Sequence, residues 1–381
     1  MINYTLDLFG MALTIICISL FVLYAALIIY YWLSWQSIPD FAALTTTPKV
    51  KISVVIAARN EEQHIGALLE TLQSQTYPKD LFEVIVIDDH STDSTASVVK
   101  RFANVVLLQL ADQALNSYKK KAIETGILHA TGNLIVTTDA DCIPKPDWLL
   151  EIARFKEDRN AVFIAAPVVF TSSNSFLETF QELDFMMLQG ITAAAVYKGS
   201  LSMSNGANLA YQKEAFLQVG GFDGIDHIAS GDDLLLMHKI SKAYRGLTFY
   251  LKSLRAIVST APMKTWKDFI NQRIRWASKA RMYQDKKITA VLLLVYLFNL
   301  SFAVLFIAGF FRYDYWMVLL GLLILKTVVE FPFMFSLATF FDKRSSLKYF
   351  PFFQPVHILY TILSGFLGQL GKYEWKGRKV K

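Results

Sequence analysis

The pattern of apolar and polar positions divides the chain into three regimes. The first is an almost unbroken apolar run from Leu8 to Trp32, long enough to cross a bilayer as one helix. A cleaved signal peptide is the rival reading. It needs a basic segment ahead of a shorter apolar one, yet the first Lys of this chain is Lys49, so a retained transmembrane helix is expected. Residues Ser37 to Pro48, with two prolines and three consecutive threonines, read as a linker.

The second regime runs from about Lys49 to Leu254 and alternates short apolar runs with amphipathic ones. Ile52 to Ala58 is a continuous apolar strand of the kind buried on both faces of a parallel sheet. Ile65, Leu68, Leu69 and Leu72 fall at helical spacing, and the helix ends by Gln75–Pro78. Further strands are predicted at Val84 to Ile87, Val105 to Leu108 and Leu134 to Thr137, with helices at Thr95 to Phe102 and Lys119 to Leu128 between them. Strands alternating with helices predict a mostly parallel, Rossmann-like α/β sheet covered on both faces. Beyond it we expect an amphipathic helix from Trp148, a strand over Val162 to Phe170, a long helix over Asn174 to Lys198, a helix over Leu234 to Ile240 and a last strand over Thr248 to Leu251.

The third regime returns to membrane chemistry. Lys264 to Lys287 is basic and aromatic, with Trp266, Ile270, Ile274 and Ala277 at helical spacing, and predicts a helix lying in the headgroup layer. Thr289 to Phe311 and Tyr315 to Phe341 read as spans joined by the tight turn 312–314. Lys286 and Lys287 on one flank, and Lys343, Arg344 and Lys348 on the other, place both flanks in the cytoplasm. Lys326 and Glu330 lie inside the second span at i, i+4, which suits a buried ion pair or a polar contact to lipid or glycan. Tyr349 to Gly371 contains Pro351 and Pro355 and is followed by a basic tail, 372–381, so a re-entrant or interfacial segment is expected rather than a third crossing.

Composition agrees. Of 381 residues 54% are hydrophobic, too apolar for an ordinary soluble protein, and the net charge of +6 is concentrated in Lys264 to Lys287 and the tail. Basic residues flanking apolar segments favour a bilayer, not nucleic acid, as the partner. Two cysteines make no disulfide framework, which fits a reducing compartment, and no His/Cys cluster suggests zinc. Domain expectations are therefore a transmembrane helix at 8–32, an α/β domain at 49–260, an interface helix at 264–287 and a membrane region at 289–371.

The chemistry gathers at strand ends. The strand at Leu134 to Thr137 runs into Asp139-Ala-Asp141, two carboxylates that alternation places on one side. Such a pair repels unless a cation sits between its members, so the pattern reads either as a solvated loop with two acids or as a site for a hard divalent metal such as Mg or Mn, shared with substrate phosphates. Asp88 and Asp89 end another strand, and ligands in such sheets sit beyond the carboxyl ends of the strands. Gly231-Asp232-Asp233 precedes a helix, where Asp232 could instead serve as an N-cap and Asp88 as a turn residue.

Ala57-Ala-Arg-Asn-Glu61, Ile87-Asp-Asp-His-Ser-Thr-Asp93, Asp139-Ala-Asp141, Gly231-Asp-Asp233 and Gln272-Arg-Ile-Arg-Trp276 occur in this order. Together they resemble the membrane-bound family 2 glycosyltransferases, inverting enzymes of GT-A fold that include poly-N-acetylglucosamine, hyaluronan and cellulose synthases and ceramide glucosyltransferase. The likeness covers about Lys51 to Trp276. It implies a UDP-sugar donor, with Asp89 on the uracil or ribose, Asp88 beside it and the backbone of Ala57 and Ala58 lining the same pocket. It implies that Asp141 holds the metal on the diphosphate and that Asp139 contacts the nucleotide or the metal shell. Asp233 would be the base, with Asp232 its rival, because relatives often carry Glu-Asp where this chain has Asp-Asp. Gln272, Arg275 and Trp276 would face the site, Arg275 on diphosphate charge and Trp276 beside the acceptor. Asn205 and Asn208 would meet sugar hydroxyls. Lys119 to Lys121 read as a solvated helix start from which one Lys approaches the nucleotide, and His90 and His227 as structural. The acceptor expected is a growing polysaccharide, with a lipid as the alternative. Three or four spans make a thin wall for a channel, so a partner subunit or dimer is expected.

Overall fold

The computed structural model describes residues 2–41, 48–111, 117–172, 175–201, 203–226, 228, 231–279, 285–370, 373–375 and 378–380. Its elements run α1 (Ile2–Ser37), β1 (Ile52–Ala58), α2 (Ile65–Gln73), β2 (Phe82–Asp88), α3 (Thr95–Val99), β3 (Val105–Gln109), α4 (Tyr118–His129), β4 (Leu134–Thr137), β5 (Ile143–Pro144), α5 (Trp148–Arg159), β6 (Phe163–Ala165) and β7 (Val168–Phe170). There follow α6 (Phe176–Tyr197), β8 (Leu209–Gln212), α7 (Lys213–Gln218), α8 (Leu234–Ala243), β9 (Thr248–Tyr250), β10 (Val258–Thr260), α9 (Trp266–Ser278), α10 (Lys286–Gly309), α11 (Asp314–Phe340) and α12 (Phe350–Gly368). Two compact units result, an α/β unit of residues 35–173 and 191–262 and a helical unit of 1–34, 174–190 and 263–379.

The α/β unit is built on a seven-stranded sheet of order β3-β2-β1-β4-β8-β6-β9. The pairs β1–β2, β1–β4, β2–β3 and β6–β9 are parallel, and β8 is antiparallel to both neighbours. β4 is buried throughout and β1 almost so, as their unbroken apolar runs require. Helix α4 packs so closely on this sheet that a Cβ on Gly126 would stand 2.6 Å from Ile87 and Val55 side-chain carbons. Glu83 ties the N-terminal end together. Its Oε1 accepts from Ser53 Oγ at 2.6 Å, from the Thr131 N–H at 2.6 Å and from Thr131 Oγ1 at 2.8 Å. Burial alone would raise this carboxyl, but those bonds outweigh it and hold it below its ordinary value.

The single strand expected over Val162 to Phe170 is two. β6 joins the main sheet, while β7 pairs with β10 in a smaller sheet of order β5-β10-β7. The break falls at Ala166-Pro167, where proline has no N–H to continue a ladder.

In the helical unit Lys326 and Glu330 form the expected ion pair at 2.7 Å, both buried. Glu330 also accepts from Tyr24 and from Gln354 Nε2, and Lys326 donates to Gln354. The pair thereby joins α1, α11 and α12, and its polar atoms are engaged by protein. Among the described residues four helices are long and apolar enough to cross a membrane: Gly10–Ser37, Lys286–Gly309, Asp314–Phe340 and Arg344–Gly368. The last is an unbroken α-helix through Pro355, about 28 Å long over α12 alone.

Candidate functional site

The carboxyl ends of β1, β2 and β4 carry the predicted residues in register. Ala58 pairs with Asp88, and the Asp89 N–H donates to Ala58 O at 2.8 Å, prolonging the ladder by one residue. Asp88 and Asp89 are both 3% exposed. Asp88 Oδ1 accepts the Ser91 N–H at 3.2 Å, so it closes the turn after β2. Asp89 Oδ1 lies 3.1 Å from His90 Nδ1 and 4.0 Å from Arg59 Nη1, and Arg59 donates to Asp89 O at 2.8 Å.

The loops after β1 and β2 clasp each other. Asn60 Oδ1 accepts the Thr92 N–H, Glu62 Oε2 accepts the Ser94 N–H, and the N–H groups of Glu61 and Glu62 donate to Thr95 Oγ1 and Asp93 Oδ2. Asn60 and His90 hold positive φ, 53° and 55°, which polar side chains bonding locally tolerate. The strand ends are thus a rigid platform, because each turn's orphan amides are satisfied by the other turn.

Lys119, expected at a solvated helix start, is three-quarters buried and ion-paired. From the first turn of α4 its Nζ donates to Asp139 Oδ1 at 2.7 Å and stands 3.2 Å from Asp232 Oδ2. It gathers an acid following β4 and an acid preceding α8 around one cation. Burial by itself would lower its pKa, but Asp139, Asp232 and Asp233 outweigh it and push it above the ordinary lysine value. A Cβ on Gly206 would lie 3.2 Å from Asp232 Oδ2 and 3.3 Å from Lys119 Nζ, so the loop before β8 also reaches this point. Lys120 departs from expectation too. It is buried, and its Nζ donates to Ile225 O and Ile228 O, both at 2.6 Å, holding the loop that leads to Asp232 and Asp233. Lys121 is half-exposed and pairs with Glu124. The signal for these roles was the run of three lysines beside an acid-rich sheet edge, which periodicity alone assigns to solvent.

Asp233, not Asp232, caps α8, its Oδ1 accepting the Leu234 N–H at 2.7 Å. Asp141 Oδ2 accepts from Thr260 Oγ1 at 3.4 Å, so the small sheet steadies the second acid of the pair. Cys142 and Cys17 are free thiols, and burial, then Asp139 and Asp141, raise the Cys142 pKa well above its usual value, leaving it inert. Asp139 and Asp141 are part-exposed oxygen donors, and among the described residues no cluster of three or more His, Cys, Asp or Glu side chains could hold a metal. Two acids without a third protein ligand fit a hard cation that draws the rest of its shell from phosphate and water.

Asn208 is corrected. It is fully buried, its Oδ1 accepts from Trp148 Nε1 at 2.9 Å, and its Nδ2 donates to Pro167 O and Ala256 O at 2.8 Å each. Its oxygen holds Trp148 of α5 and both amide hydrogens are committed to the carbonyls of Pro167 and Ala256, so no donor group remains for a sugar. Asn205 caps its own loop through the Ala207 N–H. Gln272, Arg275 and Trp276 lie on α9 in the helical unit, each part-buried, with Gln272 Oε1 accepting from Arg273 and Trp276 packed 6.2 Å from Phe185. The residues of α9 buried within the protein are Phe269 and Arg273. His227 lies outside the described residues.

Residues 53–220 match the model named Glycosyl transferase family 2. That segment, less than half of the chain, has the sequence character of a family 2 glycosyltransferase domain. The chain is 25% identical over 231 residues to the poly-β-1,6-N-acetyl-D-glucosamine synthase of Staphylococcus epidermidis, a match covering 59% of this chain and 53% of that enzyme. It is 27% identical over 235 residues to the β-monoglucosyldiacylglycerol synthase of Nostoc sp. strain PCC 7120, covering 59% of this chain and 48% of that one. The chain therefore spans about half the length of these curated relatives. Among solved structures, the mannosyltransferase PcManGT from Pyrobaculum calidifontis, in complex with GDP-Man and Mn2+, superposes with a TM-score of 0.59 at 20% identity, covering 93% of this chain and 99% of that one. The shared fold is GT-A, a Rossmann-like, mostly parallel mixed sheet.

Proposed function

We propose that this protein is an inverting glycosyltransferase that moves a sugar from a nucleotide sugar, with UDP the expected nucleotide, to an acceptor at the membrane. The observation that carries the reading is the convergence at Lys119: one cation gathers the acid after β4 and the acid before α8 at the carboxyl edge of the sheet. The nucleotide would rest on Ala57, Ala58, Asp88 and Asp89. Asp233 would take the proton of the acceptor hydroxyl as its oxygen attacks the anomeric carbon and the bond to the diphosphate breaks. Asp232, already paired to Lys119, is the less available base. A divalent ion held by Asp141 and Asp139 would supply positive charge to the departing diphosphate, and the neighbouring mannosyltransferase was solved with Mn2+. Lys119 would exchange its carboxylate partners for diphosphate oxygens as donor and metal enter. Arg275 would add charge on the same group, and Gln272 and Trp276 would meet the acceptor. The basic flanks of the spans favour a cytoplasmic catalytic unit.

A growing polysaccharide is our first acceptor, in keeping with the likeness to a poly-N-acetylglucosamine synthase. The second reading is a single transfer to a lipid, favoured by the comparable likeness to a glycolipid synthase. The test is radiolabelled transfer by purified protein in lipid across UDP and GDP sugars with Mg or Mn, against Asp233→Asn. High-mass label lost with Asp233→Asn supports a polymerase, and label confined to organic-soluble product supports the glycolipid. No metal-dependent nucleotide release with any sugar overturns the enzyme reading.

A further inference from the structure

Arg273, between Gln272 and Trp276 in sequence, is a buried cation of the helical unit with partners from three helices. It is 3% exposed. One end of its guanidinium donates from Nη2 to Asp184 Oδ2 at 2.7 Å. The other Asp184 oxygen accepts from Tyr360 Oη at 2.5 Å and lies 4.0 Å from His357 Nε2. Arg273 Nη1 donates to Gln272 Oε1 at 3.0 Å, and the guanidinium carbon sits 4.2 Å from the Trp276 ring centroid and 4.7 Å from that of Phe269.

The chemistry of these contacts separates a ligand site from a positioning device. Arg273 and Asp184 balance one to one, so the pair leaves no spare charge for an anion. What it does leave is geometry. The guanidinium is planar, and a carboxylate at one end together with an amide oxygen and two aromatic faces leaves it one orientation. Trp276 is its i+3 neighbour and Phe269 its i−4 neighbour, both within reach along one face of α9. Gln272 is its i−1 neighbour, whose side chain would ordinarily diverge. A bond between them turns the Gln272 amide toward the guanidinium.

We propose that Arg273 is a positioning residue: anchored by Asp184 of α6 and Tyr360 of α12, it sets the planes of the Gln272 amide and the Trp276 indole. The inference rests on the reading in which those two residues meet the acceptor. A lysine would keep the charge pair but not the fork or the flat stacking surface.

The test compares steady-state turnover in lipid for wild type, Arg273→Lys, the triple variant Arg273→Met/Asp184→Leu/Tyr360→Phe, Gln272→Ala and Trp276→Ala. The triple variant replaces the buried ion pair by apolar groups, which proteins often accept without loss of stability. We expect its Tm to stay near wild type while kcat falls about 10²-fold, the scale of a misplaced reacting group. The donor KM should not move. Arg273→Lys should behave alike, and it carries the test if the triple variant does not fold. Wild-type kcat in Arg273→Lys, or a kcat that follows Tm across the variants, would overturn the proposal. If Trp276→Ala and Gln272→Ala both leave turnover intact, the acceptor reading fails and the proposal with it. If either impairs turnover while Arg273→Lys does not, only the positioning role fails.

Discussion

Replacing Lys119 by Met keeps side-chain length and removes the charge that holds two acidic segments together. Nζ stands 2.7 Å from Asp139 Oδ1 and 3.2 Å from Asp232 Oδ2. At an effective dielectric of about 20, each contact is worth roughly 5–6 kcal/mol of Coulomb attraction before desolvation. Solvation returns most of it. The Asp139 side chain is 38% exposed, so its pair belongs with surface ion pairs at about 0.5–1 kcal/mol. Asp232, at 13%, keeps a charge-assisted bond of about 1.5–2 kcal/mol. The sum, about 2–3 kcal/mol, lowers Tm by about 5–10 °C for a domain of this size. Thermal unfolding followed by intrinsic fluorescence would measure it. Because the Lys119 pKa is raised on folding, its contribution is complete below the unfolded lysine value, about 10.4, and is lost only as pH rises through the folded value. Lysine titration therefore leaves the difference between wild type and variant flat from about pH 6 to 9. In an Asp232→Asn background the Lys119→Met loss should shrink by about 1–2 kcal/mol, the coupling between the pair. A Tm shift below about 1 °C, or full additivity of the two substitutions, would refute the bridge as an energetic element.

Asn208→Ala strands the Trp148 N–H and two carbonyls, and should cost about 3 kcal/mol while leaving the donor KM of the folded fraction unchanged; a raised donor KM would restore Asn208 to the binding site. Glu83→Gln should weaken the fold at neutral pH and flatten its acid dependence: a depressed carboxyl stabilises above the unfolded pKa, about 4.3, and that contribution is lost as pH falls through the folded value. Urea titrations from pH 7 to 3 give the slope, and an unchanged slope would discount the Ser53–Thr131 bonds. Lys326→Met leaves Glu330 charged and buried, and should cost about 3–5 kcal/mol in detergent-solubilised protein, with Lys326→Met/Glu330→Gln recovering a large part; equal instability of the double variant would mean the pair itself matters little.

Much of this protein is determined by its sequence alone, because it depends on local pattern. Unbroken apolar runs such as Ile52 to Ala58 have no stable place except a buried strand, and a run as long as Leu8 to Trp32 makes a helix long and apolar enough to cross a membrane. Acids that end a strand, Asp88 and Asp89 or Asp139 and Asp141, fall at the sheet edge wherever the strand goes. Tertiary structure alone decided what depends on contacts remote in sequence. Lys119 and Lys120 occupy adjacent positions of one helix start and look equally solvated. One meets Asp139, 20 residues on, and the other meets carbonyls more than 100 residues on. Asn208 looks like a polar loop residue until Trp148, Pro167 and Ala256 surround it. Arg273 looks like one more basic residue of an interfacial helix until Asp184, 89 positions earlier, neutralises it. A charge or amide has no periodicity that announces burial, and whether it is solvated or spent on a partner depends on which distant groups the folded chain brings to it.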